Sequence, residues 1–333
     1  MEKILKKISS PESLDTNWDN LADFYFQKKI FLNYLHVYNP CDQRYYELYR
    51  NNILVAGTLV YTLRINIFTF ANIPSPAKVT VIGLPVSVAS PPVIGDASEF
   101  EYLLSELIKI ESGIILGLNL TEDYLKGKVL NLRTLPTIVL HLICNSIENY
   151  ENSLRHNYRR RIHKIREKFR DVTSITSDCM VFNKQHYDLY LQIMKKTTTK
   201  LETLSLDFFK YLPVNFQLTT FYSNGQMLYW NIVCIDEHVM FFFFGGMNYS
   251  LRDKYQSYNN NLYSMIESAI NLKYNTLDFG QTAEIAKIRF GGEKSERRMF
   301  VYHRNLLVFS LLKIFRSLIT YSKTTKSSRV FKR

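Results

Sequence analysis

Residues 216–245 read FQLTTFYSNGQMLYWNIVCIDEHVMFFFFG, and what they imply decides the fold. Aromatic and β-branched residues dominate the stretch, which favours extended backbone. Asn224-Gly225 is the strongest short hairpin signal in the chain, because both residues accept the left-handed backbone of a two-residue turn. The stretch is therefore a meander of three strands. On its C-terminal side, Asn259-Asn260-Asn261 leads a helix to Lys273 whose Leu262, Met265, Ile266, Ala269 and Ile270 share one face. Residues 274–279 and 299–304 then read as strands. On its N-terminal side lie a strand near 172–176, a helix over 184–196 and a short helix opening at Ser205-Leu206-Asp207.

The first half of the chain follows the same order. Residues 14–38 place apolar side chains at helical spacing, and 45–69 form a hairpin around Asn51-Asn52. Residues 73–95 are short strands punctuated by prolines. Residues 99–111 form a helix capped by Asp96 or Ser98, and 113–120 and 135–144 read as buried strands. The likeness between halves is one of pattern, without readable identity. It predicts an α/β (α+β) chain of two tandem domains, each a mixed, mostly antiparallel sheet flanked by helices.

Between the halves stands SLRHNYRRRIHKIREKFR, residues 153–170. Leu154, Tyr158, Ile162, Ile165 and Phe169 make one apolar stripe, and Arg155, Arg159, Arg166 and Arg170 form a row beside it. Residues 154–170 carry +7 and 321–333 carry +5, which together account for the whole net charge of +12. Basicity this local points to an anionic ligand at particular places, not to general coating of nucleic acid. The expected boundaries are 1–152 for the first domain, 153–171 for the basic junction helix, 172–304 for the second domain, and 305–333 for an amphipathic helix with a basic tail. That last helix, NLLVFSLLKIFRSLIT, has a wide apolar face to bury against the domain body. Its alternative place is an anionic membrane surface, where the Lys/Arg tail would help to hold it.

Cys41, Cys144, Cys179 and Cys234 are scattered, with no metal-ligand spacing, which suits a reduced, cytoplasmic setting. The N-terminal MEKILKKISSPESLD lacks the apolar core of a signal peptide, and no window reaches the length of a membrane-spanning helix. A G-x-S-x-G elbow, an H-E-x-x-H helix and a P-loop are all absent, so hydrolase, zinc-protease and NTPase readings have no residues to rest on.

Residues 277–292, LDFGQTAEIAKIRFGG, run from a strand end at Asp278 and Gly280 through a loop to Lys287, Arg289 and Gly291-Gly292. On an extended segment Lys287 and Arg289 share a face and could grip one phosphate or carboxylate. The segment EIAKIRFGGE resembles the lysine–x–x–Phe–Gly signature of Fem-type transferases (the FemABX family) and their relatives in the GNAT acyltransferase superfamily. SLRHNYRRRIHKIREKF is similar to the serine-then-arginine-rich helix between the halves of those proteins. SYNNNLYSMIESAINLKYNTLDFGQT resembles their helix–strand passage ending in Asp-x-Gly.

This resemblance implies two tandem GNAT-like domains and a metal-free acyltransferase. An acyl or aminoacyl group would pass to an amine acceptor, such as a cell-envelope precursor. The donor would be a co-substrate, acyl-CoA or aminoacyl-tRNA, with no permanently bound cofactor. Lys287 takes the place of the motif lysine at the cleft, and Arg159 or Arg160 the place that meets the acceptor's phosphates. The partners implied are a phosphate-bearing or lipid-linked substrate, tRNA, and an anionic membrane touched at its inner face through 305–333. The phosphate loop R/Q-x-x-G-x-G/A of simple GNAT enzymes is missing, as is the helical-hairpin arm of several tRNA-dependent members.

Candidate catalytic residues are Lys287, Asp278 and Tyr258, the last two as proton acceptors alongside Glu284. Candidate binding residues are Arg155, Arg159, Arg160, Asn259, Asn260, Asn261, Gly280 and Arg289, with free N–H groups expected where the Asn259–Asn261 helix starts. Plain structural roles compete with each: a strand-end cap for Asp278, core or rim packing for Tyr255 and Tyr258, a turn with an N-cap for the three asparagines. A non-catalytic module that binds anions or a membrane surface is the reading from another class.

Overall fold

The computed structural model describes residues 2–39, 41–86, 89–197, 202–323 and 328–332. The chain first supplies β1 (Lys3–Ile8), α1 (Lys29–Tyr38), β2 (Asp42–Arg50), β3 (Ile53–Asn66), β4 (Pro76–Ile82), β5 (Val93–Gly95), α2 (Ala97–Ile110), β6 (Ile114–Leu120) and β7 (Leu130–Arg133). Next come β8 (Thr137–His141), α3 (Ile147–Ser153), α4 (His156–Glu167), β9 (Thr173–Asp178), α5 (Lys184–Lys196), α6 (Leu206–Lys210), β10 (Phe216–Ser223), β11 (Gln226–Asp236) and β12 (Val239–Met247). Then follow α7 (Arg252–Tyr255), α8 (Ser257–Asn271), β13 (Thr276–Asp278), α9 (Glu284–Ile288), β14 (Glu293–Ser295), β15 (Arg298–His303), α10 (Leu306–Ile314) and α11 (Arg316–Ile319).

These elements gather into two compact units. Unit 1 comprises Met1–Leu135, Thr198–Leu204 and Glu296–Lys323; unit 2 comprises Pro136–Thr197, Ser205–Ser295 and Thr324–Arg333. The long hairpin of each unit turns where the sequence says it should. Asn51 and Asn52 have φ of 50° and 63°, Asn224 and Gly225 of 49° and 73°, the left-handed pair that matches the twist of the flanking strands.

The sheet of unit 1 has the order β1-β2-β3-β4-β6-β15-β7, with β5 added beside β3. All its pairings are antiparallel except β4 with β6. Asp96 caps α2 by accepting from the Ser98 N–H, and Leu103, Leu104 and Leu107 pack into a core with Val60, Ile115 and Phe300. Gly117 permits the approach of β15, since a Cβ there would lie 2.2 Å from the Phe300 ring.

Unit 2 repeats the plan: its sheet runs β9-β10-β11-β12-β13-β8-β14, and β12 with β13 is its parallel pair. Its core gathers Ile138, Leu140, Ile162, Ile165, Leu262, Ile266 and Leu277. Each fully buried Leu or Ile of this kind stabilises by about 1.5–3 kcal/mol.

Position six of each sheet is filled from across the chain. The expected boundary at 152 puts residues 135–144 in the first domain, yet the strand they form, β8, pairs with β13 and β14 in the second sheet. The expected second domain, 172–304, likewise holds β15, which pairs with β6 and β7 in the first sheet.

The segment 305–333 also differs from a helix plus a free tail. In α10, Phe309 and Leu312 are buried, while Leu306, Leu307 and Ile314 point outward. Val330 is buried, its carbonyl accepts from the Arg155 N–H, and Phe331 bridges to Leu154, so this part of the tail is docked on unit 2. Lys326 and Arg333 of the expected basic tail lie outside the described residues. Among the described residues, no helix is long and apolar enough to cross a membrane.

Candidate active site

In unit 2, β12 and β13 pair only over Val239–Phe241. Among the described residues, β12 then continues through Phe242–Met247 with no strand on that edge. A register shift opposite Ile232 and Val233 makes Phe243 the extra residue of a bulge, which turns the backbone locally. Gly246 belongs there because a Cβ would lie 2.2 Å from the Trp230 indole nitrogen. Among the described residues unit 1 shows no such opening: β4 stays paired with β6 to its last residue, Ile82.

A strained loop lies beside this edge. Gly280, Thr282 and Ala283 all have positive φ (71°, 65° and 47°), which for a β-branched Thr is a costly conformation. A Cβ at Gly280 would sit 3.6 Å from the Phe242 carbonyl oxygen, so the loop lies beside the bulged strand. Three groups hold it. Asp278 accepts from the Gly280 N–H at 2.7 Å and from the hydroxyl of the buried Thr137. The Ile138 N–H donates to the Gly280 carbonyl. Lys287, only 2% exposed, donates from Nζ to the Gly280 carbonyl (3.0 Å) and the Gln281 carbonyl (2.6 Å). Burial lowers the Lys287 pKa to about 7, against the opposing pull of Asp278 and Glu284. Glu284 is paired with Lys294 at 2.9 Å.

The site residues expected from sequence thus fall into three places. Asp278, Gly280 and Lys287 come together, but Lys287 is buried under the loop and faces no open cleft. Tyr258, Asn259, Asn260 and Asn261 lie inside α8, which starts earlier than expected, at Ser257. Asn260 is fully buried and donates to the Ile165 and Tyr255 carbonyls; Asn261 accepts from Asn231 on β11 at 2.7 Å; Asn259 donates to Gln256. Tyr258 is half-buried between two core clusters, and burial raises its pKa. The expected free helix start is closed. Ser257 is 0% exposed, and α7 joins through Gln256 in left-handed conformation.

The arginines of α4 divide as well. Arg166 turns inward, its guanidinium 4.6 Å from the Tyr263 ring centroid and bonded to Asn260. Arg159 is half-buried and donates to Asn152. Arg155 and Arg160 are exposed, and Arg155 lines an open depression of about 530 Å³ with His156, Asn157, Tyr158, Ser328 and Arg329. Arg161, given no role from the sequence, is half-buried; burial and the nearby Arg289 lower its pKa. A half-buried guanidinium whose affinity for its proton is lowered by burial and by a neighbouring cation is a place where an anion is stabilised. Thr137, Lys294 as the partner of Glu284, and the bulged edge of β12 were further participants without a motif. The sequence hint for the last was Gly245-Gly246 after four phenylalanines.

Known folds match this architecture. A FemX crystal structure aligns over 94% of this chain and 100% of its own, with a TM-score of 0.56 at 11% identity. A tandem GNAT protein from the clavulanic acid biosynthesis pathway aligns over 90% and 98%, with a TM-score of 0.52 at 8% identity. L-PGS from Bacillus licheniformis aligns over 83% and 88%, with a TM-score of 0.50 at 9% identity. No family model and no curated protein sequence matches the chain. The fold is a tandem of GNAT-like units, each a mixed sheet flanked by helices, similar to that of the FemX structure.

Proposed function

We propose that the chain is an acyltransferase that moves an acyl or aminoacyl group from an activated donor to an amine, in unit 2. The β12–β13 pair carries this reading, because its pairing ends at Phe241 and leaves the bulged continuation of β12 without a strand on that edge. Backbone N–H groups aimed at a carbonyl oxygen stabilise the negative charge of a tetrahedral intermediate. The amine nitrogen attacks the donor carbonyl, the bond from that carbon to the leaving oxygen or sulfur breaks, and the amine's proton passes to the leaving group. Lys287 acts on this chemistry through the loop it holds. Arg289 with Arg161, and the depression at Arg155 and Arg329, offer cations for the phosphate of a substrate.

One observation bears on the donor. Ser257 and Asn260 in the first turn of α8 are buried, so a coenzyme A diphosphate would have to reach that helix end past Gln256 and α7. This favours an aminoacyl ester, with tRNA as the carrier, over acyl-CoA. The experiment offers the purified chain charged tRNA or acyl-CoA thioesters together with phosphate-bearing amines. The expected result is transfer abolished by ribonuclease, with turnover lowered about tenfold or more in Lys287→Met and in Arg289→Ala. Unchanged turnover in both variants overturns the site. Transfer that resists ribonuclease assigns a thioester donor, and salt-dependent anion binding without transfer assigns a non-catalytic module.

A further inference from the structure

In unit 1, the chain between β3 and β4 (residues 67–75, IFTFANIPS) and the α10–α11 segment are brought together by two ring contacts. Phe68 meets Phe315 at 6.0 Å between centroids, and Phe70 meets Tyr321 at 5.4 Å. Around these contacts the surface is apolar. Leu307 and Ile314, seven residues apart on α10, are 78% and 69% exposed, and they face away from the buried Phe309 and Leu312. Leu306, Leu311, Phe315 and Ile73 are exposed as well. A helix apolar on both faces with one face outward leaves hydrophobic surface in water that a soluble protein ordinarily covers.

The segments that build this face carry charges of one sign. Residues 48–95 and 297–333 contain no Asp or Glu. At the base of the 67–75 segment, Arg64 stands directly opposite Lys78 in the β3–β4 register, and both are exposed. Like charges in that position repel, so an approaching anionic surface relieves them. Lys313 and Arg316 flank the outward stripe of α10, and both are exposed. Apolar side chains framed by long cationic ones are the pattern that enters the headgroup boundary of a bilayer while its Lys and Arg heads meet phosphate.

We infer that this face of unit 1 docks on an anionic lipid surface, with Leu307, Ile314 and the Phe68–Ile73 segment entering the boundary between headgroups and acyl chains. The docking is independent of the acyl-transfer reading, since none of its residues belongs to unit 2. It rests on this face and not on the tail, whose Val330 and Phe331 pair with Arg155 and Leu154.

The test uses the full chain and sedimented vesicles of equimolar phosphatidylglycerol and phosphatidylcholine. Wild type is expected to bind these, to bind far less to phosphatidylcholine alone, and to release as salt rises. The double variant Leu307→Glu/Ile314→Glu should lose about tenfold or more of that affinity. Its thermal melting should be unchanged, because both positions are exposed. Leu307→Trp supplies an environment probe, since the native Trp18 and Trp230 are buried; its emission should shift to the blue on mixed vesicles. Wild type failing to bind, the double variant binding as wild type, or a bound Leu307→Trp chain with unshifted emission would each overturn the inference. So would a dimer that the double substitution dissociates in the absence of vesicle binding, which assigns the face to a second copy.

Discussion

Lys287 donates to two loop carbonyls from a position almost closed to water, and its pKa falls from 10.5 to about 7. Between those values the unfolded chain holds a proton that the native chain has released. Stability therefore rises with pH across that window and is lost again as pH falls toward 7, by about 1.4 kcal/mol per unit. Comparing wild type with Lys287→Met cancels the cysteines and tyrosines common to both. Urea unfolding should show the wild type gaining roughly 2 kcal/mol on the variant between pH 7 and 8.5. Parallel stability curves would mean that this amine carries the same proton in both states. The sequence singled out Lys287 through its neighbours, but not its burial. What places it is the return of the Gly280–Ala283 loop over it, which depends on three left-handed residues, two of which (Thr282 and Ala283) have no local preference for that conformation.

At the scale of elements, the apolar stripe of α4 was legible because its period is a property of the helix itself: Ile162, Ile165 and Phe169 are buried. The hairpin turns at Asn51-Asn52 and Asn224-Gly225 were legible for the same reason, since left-handed backbone is chosen residue by residue. The fate of the basic row beside the stripe was not, because the partner that turns Arg166 inward, Asn260, is 94 residues away. Asn260 also donates to the Ile165 carbonyl near the end of α4 and to the Tyr255 carbonyl at the end of α7, so one amide ties three helices. Asn260→Ala removes both donors and leaves two carbonyls facing a buried gap. Equilibrium unfolding should show a loss of about 1–3 kcal/mol, with faster hydrogen exchange at the end of α4. A change within a few tenths of a kcal/mol would show that those carbonyls find other donors. The closed start of α8 belongs to the same class of surprise: three consecutive asparagines suggest a cap, but here they lie one turn in and serve the core.

For the whole molecule, the repeat of helix, hairpin, helix and strands was visible in pattern, whereas the exchange of the sixth strands was not. Alternation and β-branching mark residues 137–141 and 298–303 as strands but do not say which sheet takes them, and neighbours in sequence pair more often than not. The exchange has a consequence for folding. Among the described residues β7 pairs only with β15, so the fragment 1–152 leaves β7 without that partner, opens the β6 edge and exposes the face that Met299, Phe300 and Val301 cover. The fragment 153–333 lacks β8, which joins β13 to β14 and carries the Thr137 hydroxyl to Asp278. Neither piece can complete its sheet, and during synthesis the first sheet waits for residues 298–303. Each fragment alone should therefore show poor amide dispersion and no cooperative unfolding, while coexpression should restore a folded, co-purifying pair. A fragment 1–152 that unfolds cooperatively by itself would show that β15 is dispensable to the first sheet. The strand exchange would then be decoration on two autonomous domains, not the means by which the two halves of the chain are made to fold as one.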